Sequence, residues 1–367
     1  MKKLLTFALA LLMVAGCSNN GGTTTTPTPD ADANNEGGNT GCTITIGLVT
    51  DLGGIDDKSF NQGTWEGVVQ FAEDNNMGEE CYGYLQSSAD ADYIPNLSTF
   101  ADQKKDLIEA PGFLFEDAMK EVADLYPDQK FVIIDTEVDK PNVASAIFKE
   151  QQPSYLVGVA AAMKAKEAGM TKVGFIGGVE NPIIERFEAG YKQGVASVDP
   201  SIEVLSDYAN AFDDPGKGST LAQKQYNDGA YVIFHAAGAT GNGLIKEAKD
   251  RREAGEDVWA IGVDSDQYDA GLMSDGTSAV LTSALKRVDT AAYYFADQVK
   301  NGTFQGGTMV FDASNDGIGF PKENPNLSDE IVKAMEDALA KIKSGEIVVD
   351  EALRSEERRV GKECRSR

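Results

Sequence analysis

Short apolar runs alternate with helix-length amphipathic segments along most of this chain, and the alternation starts twice. The first series reads TITIGLVTD, CYGYLQ, DLIEAPGF, FVIID and SAIFKE as strands. Between them, TWEGVVQFAEDN, IPNLSTFADQ and LFEDAMKEVADLYP read as helices, the last with Leu114, Ala118, Val122 and Leu125 on one face. SYLVGVAAAMKAKEAG is a strongly apolar helix with a glycine stop at Gly169. At Lys172 the pattern begins again with VGFIGG, IEVLSDYA, YVIFHAAG, VWAIGVD and AVLTSALKR as strands. Apolar runs this short, separated by helices, form parallel strands buried on both faces. The expected class is α/β: two doubly wound parallel-sheet lobes. The late elements DTAAYYFADQVKNG, MVFD and SDEIVKAMEDALAKIKSG must be shared between the lobes. Several chain crossings then connect them, as in a hinged interlobe cleft.

The ends differ from this pattern. Residues 1–17 have Lys2 and Lys3, then the apolar stretch LLTFALALLMVAG, then Cys17. That is an export signal whose Val14-Ala15-Gly16-Cys17 resembles a bacterial lipobox, with Cys17 as the acylated residue. Residues 18–42 are rich in Gly, Thr, Asn and Pro and read as a flexible tether. Residues 354–367 carry six Lys or Arg against three Glu in a chain whose net charge is −26, and read as a non-native tail. The lobes are expected at 43–150 plus 284–313 and at 151–283 plus 314–353. The acidic charge disfavours nucleic-acid binding through phosphates. Besides Cys17 and Cys364, Cys42 and Cys81 precede neighbouring strands. Both a disulfide and two buried thiols fit that placement.

In an open α/β sheet, ligands bind at the carboxyl ends of strands. The segment IGLVTDLGGIDDKSFNQGTWEG places Asp51, Asp57, Lys58, Ser59, Phe60 and Asn61 at such an edge. One aromatic face beside carboxylate, ammonium and amide groups suits a small, flat, polar ligand such as a nucleobase with its sugar. Asp135, Asp264 and Lys286 likewise close strands, and His235 and Gly238 close YVIFHAAG. Taken singly, each aspartate reads as a helix cap or turn residue. Their recurrence at equivalent positions favours a site. Other chemistries find less support. His235 is the single histidine, so a zinc site is poorly supplied, and no G-x-S-x-G elbow is present. The acidic pairs at 56–57 and 213–214 and the run DADY lack calcium-loop spacing. GATGNG lacks the Lys-Ser/Thr of a P-loop. Arg186 and Phe187 read as helix packing.

The motifs VTDLGGIDDKSFNQGTWEG, SSADADYIPNL, FVIIDTEVDKPNVASAIFKEQQPSYLVGVAA, VGFIGGVENPIIERFEAGY, AFDDPGKGSTLA, VIFHAAGATGNG, AIGVDSDQY and LTSALKRVD together resemble the basic membrane protein (BMP) family of ABC-transporter substrate-binding lipoproteins. The resemblance runs from about residue 44 to 353 and implies the type I periplasmic-binding-protein fold. It further implies a binding protein, with no chemistry of its own and no cofactor, anchored outside the cytoplasmic membrane. Its partners are a nucleoside, most simply a purine nucleoside, and the permease and ATPase chains of an ABC importer. Carried over by position, Phe60 is one stacking face and Asn61 a base-edge contact, with Asp51 beside them. Asp135 is the base-reading carboxylate. Gly238 lets backbone approach the sugar; Asp264 accepts from the ribose, with Lys286 as its cationic partner. The second stacking face is His235 or adjacent Phe234, since strand alternation turns only one toward the cleft. Glu109-Ala110-Pro111 stand where the family has a Gly-rich turn, which leaves open whether Phe113 reaches the ligand. A surface adhesin and a nucleoside-hydrolysing enzyme are the alternatives; the latter needs a metal site that these residues do not supply.

Overall fold

The computed structural model describes residues 41–352. The expected signal, Cys17, most of the tether and the basic tail lie outside the described residues. The first series forms β1 (Ile46–Val49), α1 (Phe60–Asp74), β2 (Tyr82–Leu85), α2 (Tyr93–Asp102), β3 (Leu107–Pro111), α3 (Glu116–Leu125), β4 (Phe131–Ile134) and β5 (Val143–Phe148). The second forms α4 (Gln151–Glu167), β6 (Lys172–Gly177), α5 (Pro182–Val198), β7 (Glu203–Tyr208), α6 (Pro215–Asn227), β8 (Val232–Ala236), α7 (Gly241–Glu253), β9 (Trp259–Asp264) and β10 (Val280–Lys286). Then come α8 (Val288–Lys300), β11 (Gly307–Phe311), β12 (Ile318–Gly319) and α9 (Asp329–Ser344).

Two six-stranded sheets result, in the orders β11-β5-β4-β3-β1-β2 and β12-β10-β9-β8-β6-β7. The first is parallel throughout; in the second only β12 runs antiparallel, against β10. Each sheet therefore reverses its winding beside its first strand, at β1/β3 and at β6/β8, where α/β sheets open a crevice for ligands. The chain passes between the sheets three times, after β5, after β10 and after β11. The lobe boundary expected at residue 284 falls inside β10. That strand pairs with β9 from Val280 to Leu285, so the whole apolar run VLTSALK belongs to the second sheet.

The helix expected from Thr64 begins four residues earlier, at Phe60. The Asp57 carboxylate accepts from the backbone N–H groups of Ser59, Asn61 and Gln62 at 2.9, 2.8 and 3.1 Å. That satisfies the orphan donors of the first turn and draws Phe60 and Asn61 into the helix. On α3 the buried face is Ala118, Met119, Val122 and Ala123, while Leu125 is 62% exposed. The last turn of α3 thus leaves the apolar stripe that the spacing suggested. Helix α4 is apolar nearly all round because it is buried nearly all round, between α5, α9 and β10. A Cβ on Gly190 or Gly194 would sit 2.1 Å from the carbonyls of Gln151 or Tyr155 on α4, so these two glycines let the α4 and α5 backbones touch. Cys42 and Cys81 form a disulfide with Cα atoms 5.4 Å apart, tying the start of the first lobe to the start of β2.

Candidate functional site

A cavity of about 570 Å³, counting its open mouth, lies between the carboxyl ends of the two sheets. Asp51, Phe60, Asn61, Asp135, Gly238, Asp264 and Lys286 all line it. Of the eight expected ligand residues only His235 does not.

One wall comes from β1 and α1. Asn61 Nδ2 donates to Asp51 Oδ1 at 2.7 Å and to Asp57 Oδ2 at 3.0 Å, and Asn61 Oδ1 accepts from the Asp51 backbone N–H at 3.2 Å. Asp51 Oδ1 also accepts from Gly53 N–H at 2.9 Å. Both amide hydrogens of Asn61 are therefore committed, and Asn61 holds two carboxylates side by side. Burial pushes Asp51 up to about 6, with the Asn61 hydrogen bond opposing and the Asp57 charge adding. Asp57 is raised as well, again by burial, against its three backbone donors. The turn-shaping role of Asp57 thus coexists with a place in the cavity lining.

The opposite wall is built around Lys286, which is 2% exposed at the end of β10. Its Nζ lies 2.5 Å from the Asp135 carboxylate, 3.7 Å from Glu150 Oε1 and 4.8 Å from the centroid of the Phe60 ring. Arg186 Nε donates to Glu150 Oε2 at 2.6 Å. Two cations and two carboxylates, Glu150 fully buried, thus form one network. Burial works against the Lys286 charge, but Asp135, Glu150 and Asp264 outweigh it and raise its pKa. Glu150 is raised by burial, with Lys286 opposing. Asp264 is pushed up to about 7, mainly by burial, and its Oδ2 accepts from Ser59 Oγ across the cleft. Asp135 and Asp264 both have left-handed backbone, with φ of 73° and 63°. Non-glycine residues adopt it at a cost of about 1–2 kcal/mol, and here it turns both carboxylates off their strands. The pairing expected between Lys286 and Asp264 is in fact made closest with Asp135.

His235 is fully buried within β8 and faces α7, with Nε2 3.0 Å from Gln267 Oε1. Burial depresses its pKa to about 4, so it is neutral in the ordinary range. Phe234 points to the other face of the sheet, among Phe175, Phe187 and Tyr191. A strand sandwiched between helix layers has no cleft-facing side; only its end does. Neither residue is a second stacking face. The other aromatic rings in the cavity lining are Phe113, Phe187 and Phe212, with Phe113 and Phe212 edge to face at 6.2 Å. Phe113 reaches the cavity because Gly112 makes the turn after β3 with φ of 124°. Phe212 lies where a Cβ on Gly178 would meet its ring at 2.2 Å. The signal for Phe212 was present in AFDDPGKG: an aromatic in a strand-end loop just before a helix capped by Asp214 and started by Pro215.

Comparison with known proteins agrees with this architecture. Residues 44–352 match the family model Bmp, described as ABC transporter substrate-binding protein PnrA-like. The chain belongs to this family. Residues 1–18 match a prokaryotic membrane lipoprotein lipid attachment site, so this Bmp protein is lipid-anchored on the extracytoplasmic side of the membrane. It is similar to a "CD4+ T-cell-stimulating antigen" of Listeria monocytogenes, 42% identical over 84% of this chain and 88% of the relative. It is also similar to the "ABC transporter nucleoside-binding protein BmpA" of Lactococcus lactis subsp. cremoris, 37% identical over 84% of this chain and 90% of the relative. Among solved structures, an ABC transporter solute-binding protein from Aeropyrum pernix K1 superposes with a TM-score of 0.73 at 28% identity, covering 85% of this chain and 95% of that one. The fold is that of periplasmic binding proteins, and Bmp proteins are binding proteins rather than enzymes.

Proposed function

We propose that this substrate-binding protein captures a nucleoside, with purine nucleosides preferred, and delivers it to the permease and ATPase of an ABC importer. The observation that carries the reading is the cavity itself: four phenylalanines face it, and carboxylates and one lysine close it at the strand ends. A base sits between Phe60 and Phe212, where stacking is worth roughly 1–3 kcal/mol. Asn61 serves by orienting Asp51, whose free oxygen is then the acceptor for the base edge. An acceptor there selects a base that presents an N–H, as 6-oxopurines do. Asp264 and Lys286 take the ribose hydroxyls, and Gly238, with φ of 54°, brings main chain close to the sugar. Asp135 acts through Lys286. The printed name of the Lactococcus relative supports the nucleoside class.

The test is calorimetric titration of protein unfolded, dialysed and refolded to strip ligand. Inosine and guanosine should bind, pyrimidine nucleosides more weakly, and free ribose not measurably. Phe60→Ala should weaken nucleoside binding about tenfold or more. Absence of heat with every nucleoside contradicts the proposal.

A further inference from the structure

His235 reads from the sequence as a ligand residue, yet it is buried behind the site and contacts Gln267. Gln267, 2% exposed, follows β9, and its two amide atoms do different things. Oε1 accepts from Val263 N–H at 2.9 Å and faces His235 Nε2 at 3.0 Å. Nε2 donates to the Lys58 carbonyl at 3.0 Å, in the other lobe. Since Val263 N–H must meet an oxygen, the amide cannot be flipped. The imidazole Nε2 facing the same oxygen must then carry the ring proton. His235 Nδ1 is left with a lone pair and no partner, packed where a Cβ on Gly241 would lie 2.0 Å away. Two more bonds flank this contact: Asn242 Nδ2 donates to the Asp57 carbonyl at 3.0 Å, and Ser59 Oγ donates to Asp264. Three consecutive residues of the first lobe, 57–59, are thus held by three residues of the second. Two of the bonds grip main chain, whatever the ligand.

We propose that His235 is a positioning residue for lobe closure: it orients Gln267, whose amide holds the Lys58 carbonyl across the cleft. His235 acts through Gln267 and touches no ligand. This rests on the cleft being a substrate site but not on the substrate being a nucleoside. Losing the Gln267 donor frees the first lobe at its ligand-bearing turn, so release of ligand accelerates while capture changes little.

The experiment compares wild type, Gln267→Glu, His235→Ala and the double variant. Small-angle scattering of ligand-stripped protein reads lobe separation, stopped flow reads nucleoside release, and thermal unfolding confirms each variant is folded. Gln267→Met, close in shape, replaces Gln267→Glu if the latter does not fold. The expected result is a larger radius of gyration and about tenfold faster release for Gln267→Glu. His235→Ala should show a smaller change that vanishes in the Gln267→Glu background, because both act on one bond. Wild-type scattering in the Gln267 variants overturns the proposal. So does a His235→Ala effect that is undiminished in the double variant. A wild-type protein that binds no nucleoside contradicts the proposed function, while the scattering still decides the latch.

Discussion

The two walls of the cavity hold buried charge by different means. On the first-lobe wall, Asp51 and Asp57 sit together, held by Asn61 and by backbone N–H groups, with no salt-bridge partner among the described residues. On the opposite wall, Asp135, Glu150, Lys286 and Arg186 neutralise one another across the junction of the lobes. A carboxylate held by dipoles keeps a lone pair for a ligand, and burial raises the pKa of both Asp51 and Asp57. A carboxylate held by cations has its oxygens engaged by them. The first wall is therefore suited to reading a ligand, and the second to anchoring one. Glu109 marks the limit of the series. It is fully buried on β3, in register with Leu48 and Val132, and neither of its oxygens has a hydrogen-bond partner among the described residues. Burial holds its carboxyl well above the usual carboxylate range.

The largest effect should come from breaking the ionic wall. Lys286→Met leaves Asp135 and Glu150 facing each other, and should cost about 3–5 kcal/mol in denaturant unfolding of the ligand-free protein. A loss below about 1 kcal/mol would show that the network is solvated after all.

Next is pH. Asp264 titrates near 7 when folded and near the ordinary aspartate value when unfolded. Its folded pKa is raised, so its contribution is complete below about 4 and is lost as pH rises through about 7. Asp264→Asn should flatten the decline of ligand-free stability across that window, a change of a few kcal/mol at most. An unchanged pH profile would contradict the burial argument.

On the dipolar wall, Asn61→Leu removes the amide between the two carboxylates and should destabilise by roughly 1–3 kcal/mol. Nucleoside affinity should fall with it, although Asn61 has no free donor for the ligand. If affinity falls while stability does not, Asn61 contacts the base directly.

The smallest effect, and the opposite sign, is expected of Glu109→Leu. Removing this buried carboxyl should stabilise by about 1–2 kcal/mol at pH 8 and less at pH 4, where the unfolded chain's carboxyl also takes up protons. Thermal unfolding at the two pH values measures it; destabilisation at both would mean that Glu109 has a partner.

Much of the site was legible because polar residues that close apolar strands stand out: Asp51, Asp135, Asp264 and Lys286 each end a run that is otherwise buried. The two-lobe fold was legible from the double series of strands for the same reason. What was hidden depends on three-dimensional neighbours. Strand β8 carries His235 and Phe234, and period-two alternation suggests one cleft-facing side; with helices on both faces, neither side is free. Phe187 looked like packing and does pack against Phe234, yet the same ring reaches the cavity. The partner of Lys286 could not be told from sequence, since Asp135 and Asp264 end strands alike and only the left-handed turn at each aims its carboxylate. Short β12, two residues long, carries no apolar run to announce it.

The cleft is read here as a nucleoside site. Native mass spectrometry of the ligand-stripped protein mixed with inosine, guanosine and an equal amount of a hexose tests it most directly. The expected result is one-to-one adducts with the mass of inosine or guanosine and no hexose adduct. An adduct with the hexose, or none with either nucleoside, would contradict it.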